Sequence, residues 1–217
     1  MFPGERSLCE RCGYPLRGLG GDAACPECGL PVQRSNPARR AGLPWQRRMD
    51  PAAFLATGWA VVTRPGAAYG QMIVGGRQVR HGVYLLVWAV LTGVAWGLAW
   101  RQWAVGGVAA SLVVTLTTVE AAGVAWVGRR QRWRLRMAGA FRVASYAAPG
   151  WVWGSAVWAG ALWVRRQAWF NTWDWPTAPG PWRHSAAFLS WSLVAAASVM
   201  AFELLVWSGA RKVRWAG

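Results

Sequence analysis

Between residues 83 and 209 the chain alternates long apolar stretches with short basic ones. Residues 83–100 carry no charge, 104–128 carry only Glu120, 143–164 carry none, and 186–209 carry only Glu203. A helix needs roughly 20 apolar residues to cross about 30 Å of hydrocarbon. The pattern therefore predicts an all-α membrane bundle of about four transmembrane helices at 83–100, 104–128, 143–164 and 186–209. Four helices apolar around their whole circumference could not be covered by the polar chain that remains in 217 residues. Upstream, Asp50-Pro51 is a helix start, with an acid at the N-cap and proline at the first helical position. Phe54, Leu55, Trp59 and Val62 recur at helical spacing, and Arg64-Pro65 ends the segment. Residues 50–82 read as an amphipathic region lying in the membrane interface. The alternative is a surface helix packed on the rest of the protein. A weaker, glycine-broken segment follows at 69–80.

Composition fits this picture: 54% of residues are hydrophobic and 19 are Trp, yet the formal net charge is +16. Apolar and basic residues must be segregated along such a chain. The basic residues are 23 Arg and one Lys, Lys212. Arg, Ala, Gly, Pro and Trp share GC-rich codons, which weakens basicity as a sign of nucleic-acid binding. Lys plus Arg number 11 before the first stretch, then 1, 6 and 3 in the successive loops and 3 in the tail. With four spans, the N-terminus, the second loop and the tail (210–217) share a side, and the positive-inside rule makes it the cytosol. The expected location is the inner (cytoplasmic) membrane, multi-pass, with both termini cytosolic. No basic start followed by an apolar run marks a cleavable signal in residues 1–40. Arg39, Arg40, Arg47, Arg48, Arg129, Arg130, Arg132, Arg134 and Arg136 are candidates to hold anionic lipid headgroups. In the third loop, Arg165, Arg166 and Arg183 fall outside, among Trp169, Trp173, Trp175 and Trp182. Such tryptophans suit the headgroup zone or, alternatively, a ligand-facing aromatic surface.

All four cysteines lie near the N-terminus, as Cys9-x2-Cys12 and Cys25-x2-Cys28, with Gly13 and Gly29 right after each pair. Each pair makes a knuckle that aims two sulfurs at one point. Two knuckles joined by a short hairpin bring four thiolates around one Zn²⁺. Residues 1–32 therefore read as a small zinc ribbon, and 33–49 as its basic linker. A core of about thirty residues cannot fold alone, so the metal supplies folding energy. Four sulfur ligands leave no site for water or substrate, which makes the zinc structural. A rubredoxin-like iron site and a dithiol redox pair are the alternatives.

Glu120 and Glu203 are the acids within the spans. At ~1.5 Å per residue they sit about 12 and 9 Å from the cytosolic end. Arg142 starts the third span from the same side. The three form a candidate intramembrane polar cluster, either a proton or substrate site or interhelical glue. Gly93-x3-Gly97 and Gly150-x3-Gly154 suit close helix contact, and Pro149-Gly150 predicts a kink. No catalytic signature appears, and His81 and His184 fall on opposite sides of the membrane.

The segment Cys9-x2-Cys12-Gly13-Tyr14-Pro15-Leu16-Arg17-Gly18-Leu19, then Cys25-Pro26-x-Cys28-Gly29, resembles the zinc ribbon at the head of many bacterial multi-span membrane proteins. Trp59-Ala60-Val61-Val62-Thr63-Arg64-Pro65, followed by several spans, is similar to the Yip-type (Ypt-interacting) membrane family. That resemblance implies a membrane scaffold or adaptor without catalysis, and transfers no functional residues beyond the four cysteines. The expected function is a non-enzymatic scaffold that presents the ribbon to a cytosolic protein, with a homo-oligomer left open. One alternative is a small transporter or channel-like protein using Glu120, Glu203 and Arg142. Another is a membrane-tethered nucleic-acid binder, against which residues 5–30 hold three Arg and four acids.

Overall fold

The computed structural model describes residues 8–36, 40–74, 79–152 and 181–215. These residues are mostly helical. The helices are α1 (Pro44–Arg47), α2 (Pro51–Thr63), α3 (Pro65–Gln71), α4 (Arg80–Trp100), α5 (Trp103–Arg130), α6 (Met137–Ala147) and α7 (Pro181–Val213). Two isolated bridges in the N-terminal segment are the extended pairing among the described residues.

Two helices, α4 and α5, are long and apolar enough to cross a membrane. Only 33% and 28% of their most apolar windows is buried within the protein. Their outward faces carry Leu86, Val90 and Val94 on α4 and Val108, Leu112 and Val119 on α5, all exposed. A two-residue turn joins them. Arg101 adopts a left-handed conformation (φ 55°), and the Gln102 N–H donates to the Gly97 carbonyl at 3.0 Å. The left-handed residue closes the helix end by capturing orphan carbonyls. Below the turn the two backbones touch. A Cβ on Gly93 would lie 2.7 Å from the Gly106 carbonyl oxygen and 3.0 Å from the Ala110 Cβ. Gly93 and Gly97 thus serve the close contact their spacing predicts.

Helix α6 is the central element, packed against α2, α4, α5 and α7. Every residue from Gly139 to Ala147 except Phe141 is buried. It stops at Ala148, just before Pro149, and residues 149–152 turn helical again. Pro149 lacks an N–H and crowds the preceding turn, which accounts for the break. Gly150 then lets α7 cross closely, because a Cβ there would meet the Phe202 Cα at 2.7 Å. Trp151 stacks on Phe202 (4.5 Å between ring centroids) and donates from Nε1 to the Thr117 hydroxyl at 3.2 Å. The expected span 143–164 is described only to residue 152. Gly154, Arg165, Arg166, Trp169, Trp173 and Trp175, and the side chains of Trp182, Arg183 and His184, lie outside the described residues.

Helix α2 begins as predicted, with the Asp50 carboxylate accepting from the Ala53 N–H at 2.6 Å. Its amphipathic reading needs correction. At 100° per residue, Phe54 turns away from Leu55 and packs inward with Thr57 and Val61, while Leu55 and Trp59 are 63% and 71% exposed. No charge interrupts residues 51–63, so α2 is apolar towards the protein and away from it. An aromatic ladder holds its inner side: Phe54 stacks on Trp88 at 4.8 Å, lies 5.0 Å from Tyr84 and meets Trp45 edge-on at 5.6 Å. Each such pair adds about 0.5–1.5 kcal/mol beyond its burial.

Trp45 Nε1 donates to the Arg80 carbonyl at 2.7 Å, His81 meets Phe141 edge-on at 5.7 Å, and the Arg134 N–H donates to the Arg214 carbonyl at 2.9 Å. These contacts gather the starts of α4 and α6 and the ends of α5 and α7 on one face. Arg101 marks the other. Replacing Gly93 by Val is expected to lower the thermal midpoint of the detergent-solubilised protein, with a loss of about 1–3 kcal/mol from overpacking. Gly107→Val is the control, because nothing lies within 4 Å of a Cβ there; its midpoint should stay close to that of the unsubstituted chain.

Candidate metal centre and paired carboxyls

The N-terminal segment is built twice, with an offset of 16 residues (Cys9 to Cys25, Leu16 to Val32). In the first copy the Gly13 N–H donates to the Cys9 carbonyl and the Cys9 N–H to the Tyr14 carbonyl, both at 2.8 Å. In the second, Gly29 donates to Cys25 and Cys25 to Leu30, both at 2.9 Å. Gly13 (φ 82°) and Gly29 (φ 69°) both occupy the left-handed region, which glycine enters without a Cβ penalty. The bridges Leu8–Pro15 and Ala24–Pro31 are equivalent too. Between the copies lies a small core of Cys9, Leu16, Cys25 and Val32.

The four sulfurs converge. Cys9 Sγ is 3.4 Å from Cys28 Sγ, Cys12 Sγ is 3.6 Å from Cys25 Sγ, and all four lie within 4.8 Å of one another. Metal–sulfur bonds of about 2.3 Å in a tetrahedron set the sulfurs about 3.8 Å apart. The cluster therefore has the size and donor set for one metal ion, with its coordination shell closed by the protein. Ionisation of the thiols is uneven. Burial pushes the Cys9 thiol up, but the backbone N–H groups of Cys12 and Arg11 donate to it and bring it down to about 7. Desolvation, with the thiol contacts to Cys25, Cys28 and Cys9, pushes Cys12 up to about 12. The Leu30 N–H lowers the Cys28 thiol, yet desolvation and the bond to Cys9 leave it raised.

The first copy is docked on the helical bundle, a placement the sequence reading does not anticipate. The ring of Trp215 lies against Gly13, and Arg214 Nη2 donates to the Arg11 carbonyl at 3.2 Å. Glu10 pairs with Arg40 at 2.5 Å, and Arg40 Nη1 donates to the Met72 carbonyl at 2.7 Å. Arg40 was expected to hold lipid headgroups. Its side chain is only 5% exposed, so it serves the interior instead. Arg47, Arg48, Arg129, Arg130, Arg132 and Arg136 are exposed and Arg134 is partly so; Arg39 lies outside the described residues. Arg48 pairs with Asp50 at 3.3 Å, and the Arg130 guanidinium stands 4.3 Å over the Trp126 ring.

Of the expected polar cluster, two members lie near each other. The Glu120 and Glu203 carboxyls are close enough to influence each other electrostatically, and Glu203 accepts from Trp207 Nε1 at 3.1 Å. Their comparable depths on the sequence reading are compatible with this proximity. Arg142 is engaged elsewhere: its buried guanidinium donates to the carbonyls of Ile73 (3.1 Å) and Val74. The turn at Arg101 fixes the register of α5, whereas Arg142 lies one turn into α6 and reaches the 73–74 backbone.

No family model matches the chain, and no curated protein or solved structure is similar to it.

Metal binding requires thiolates, so protons compete with the metal. With Cys12 and Cys28 both raised, at least two protons should leave per metal bound at neutral pH, rising by the Cys9 proton below about pH 7. Calorimetric titration in buffers of different ionisation enthalpy counts them. The apparent affinity should rise with pH throughout this range.

Proposed function

We propose that this protein is a non-enzymatic membrane adaptor: a multi-pass helical bundle in the inner membrane that holds a structural zinc ribbon against its cytosolic face. The observation that carries this reading is the position of the closed four-thiol cluster. It sits on the basic end of a bundle whose flanks are apolar. A reduced four-cysteine site belongs in a reducing compartment, and Arg-rich segments favour the cytosolic side. The exposed arginines at that end, Arg129, Arg130, Arg132 and Arg136 among them, would attract anionic headgroups, at about 1 kcal/mol for each basic residue near the surface. A filled tetrahedral shell gives zinc no open position for a substrate, so its contribution is to shape the ribbon as a protein-binding face. The test uses the full chain in lipid nanodiscs as bait. Partner capture should be strong for the zinc-loaded protein and lost in Cys25→Ser/Cys28→Ser. Equal capture by both forms would refute the adaptor reading. The protein should also stay with the membrane through alkaline carbonate extraction.

A second reading is supported by the Glu120–Glu203 proximity. Two neighbouring carboxyls inside an apolar bundle are costly to ionise together, and such a pair is a feature of proton-coupled transport. Single Glu120→Gln and Glu203→Gln variants separate the two. If the pair is interhelical glue, a Gln amide replaces one carboxyl with yield and thermal midpoint nearly intact. Loss of a proton-driven flux in reconstituted vesicles would favour transport.

A further inference from the structure

The two copies of the ribbon motif are alike in backbone and unlike in surroundings. A Cβ on Gly13 would lie 2.9–3.1 Å from three atoms of the Trp215 indole, whereas a Cβ on Gly29 would meet nothing within 4 Å. Glu10 and Arg11, the two residues inside the first Cys-x-x-Cys loop, make the remaining contacts, to Arg40 and Arg214. Arg214 is itself tied to the bundle through the Arg134 N–H. The C-terminal end of α7 is thus held from one side by the bundle and from the other by two features of one knuckle, the Arg11 carbonyl on Arg214 and the bare Gly13 Cα on Trp215, while the Glu10 carboxylate anchors the same knuckle to Arg40 of the linker. The corresponding residues of the second knuckle, Pro26, Glu27 and Gly29, are exposed.

The knuckle owes its shape to the convergence of Cys9 and Cys12. About thirty residues with a four-residue core cannot hold that turn alone, so bound metal decides whether Glu10, Arg11 and Gly13 face Arg40, Arg214 and Trp215 together. We infer that the first knuckle is a metal-dependent latch on the C-terminal end of α7. Loaded, it clamps residues 211–215 to the bundle; stripped, it releases them. The inference rests on the metal reading above and adds what the metal controls: the freedom of the helix end that follows Glu203 and Trp207. The second knuckle keeps its face open in both states of the tail.

Limited trypsin digestion of the full chain in detergent tests this, followed by mass spectrometry at Arg211, Lys212 and Arg214, with bound zinc measured on the same samples. Chelation should speed cleavage at these sites by roughly tenfold, since a docked segment is cut only when it opens. Trp215→Ala should give the fast rate while keeping its zinc. Gly13→Ala and Gly29→Ala impose the same left-handed strain, but only the first drives a methyl into the indole. Gly13→Ala should accelerate cleavage with zinc bound, and Gly29→Ala should not. Equal rates for zinc-bound and zinc-free protein would overturn the latch while leaving the metal site intact. Equal acceleration by both glycine variants would overturn it in favour of general loosening of the ribbon. A chain that binds no zinc at all would overturn the metal reading and the latch together.

Discussion

A chain that leaves its helix beside an apolar bundle exposes carbonyl groups that water does not reach, and each must find a donor in the protein. Residues 72–74, after α3, pose that problem here. The Met72 carbonyl accepts from Arg40, the Ile73 carbonyl from Gln46 and Arg142, and the Val74 carbonyl from Arg142. The Ile73 N–H donates in return to the Gln46 side chain, and the Gln46 carbonyl accepts from Arg80. One stretch of irregular backbone thereby joins the linker, α1, α4 and α6. Arginine suits this task because its fork of donors spans neighbouring acceptors and its guanidinium is weakly hydrated. Arg40 carries the network one step further, through Glu10, into the ribbon. The four-cysteine cluster and the helical bundle are consequently parts of one hydrogen-bonded assembly.

The features legible in the sequence are those that periodicity and spacing encode. The long apolar runs located α4 and α5 within a few residues, and Asp50-Pro51 located the start of α2. The Cys-x-x-Cys-Gly repeat located a cluster whose sulfurs converge within 4.8 Å. Comparable depth along two runs of the same direction made Glu120 and Glu203 candidate neighbours. The arginines were less legible. An arginine flanking an apolar run reads the same whether it faces a lipid phosphate or a backbone carbonyl, and only the fold turned Arg40 and Arg142 inward. Helical spacing groups Phe54 with Leu55 and Trp59, yet Phe54 packs inward and they face out, because every side of that helix is apolar and periodicity has nothing to register. The seat of Trp215 on Gly13 joins residues about two hundred positions apart, and no local pattern announces it.

The carboxyl pair and the ribbon occupy the same half of the bundle. Glu203 accepts from Trp207, one turn on, and Trp207 meets Trp133 edge-on with ring centroids 6.4 Å apart. Gly209, half a turn further, packs against Tyr69 and Val143. The lower half of α7 is therefore lined on one side by aromatic contacts that lead from the carboxyls towards the docked knuckle. Tyr69 donates to the Val143 carbonyl at 3.4 Å, so α3 is fastened to α6 where α7 crosses both.

The turn at Arg101 and Gln102 bears on how such a bundle could be made. Two residues are too few to fold on the far side of a bilayer, so α4 and α5 would enter it as one preformed hairpin, glycine against glycine. Only a single guanidinium would then have to be carried through the oily layer. Its passage, at about 2.5–3.5 kcal/mol for an arginine at mid-depth, is small beside the gain from two helices of outward-facing leucine and valine. On the membrane reading proposed above, the pair would behave as one insertion unit during biosynthesis.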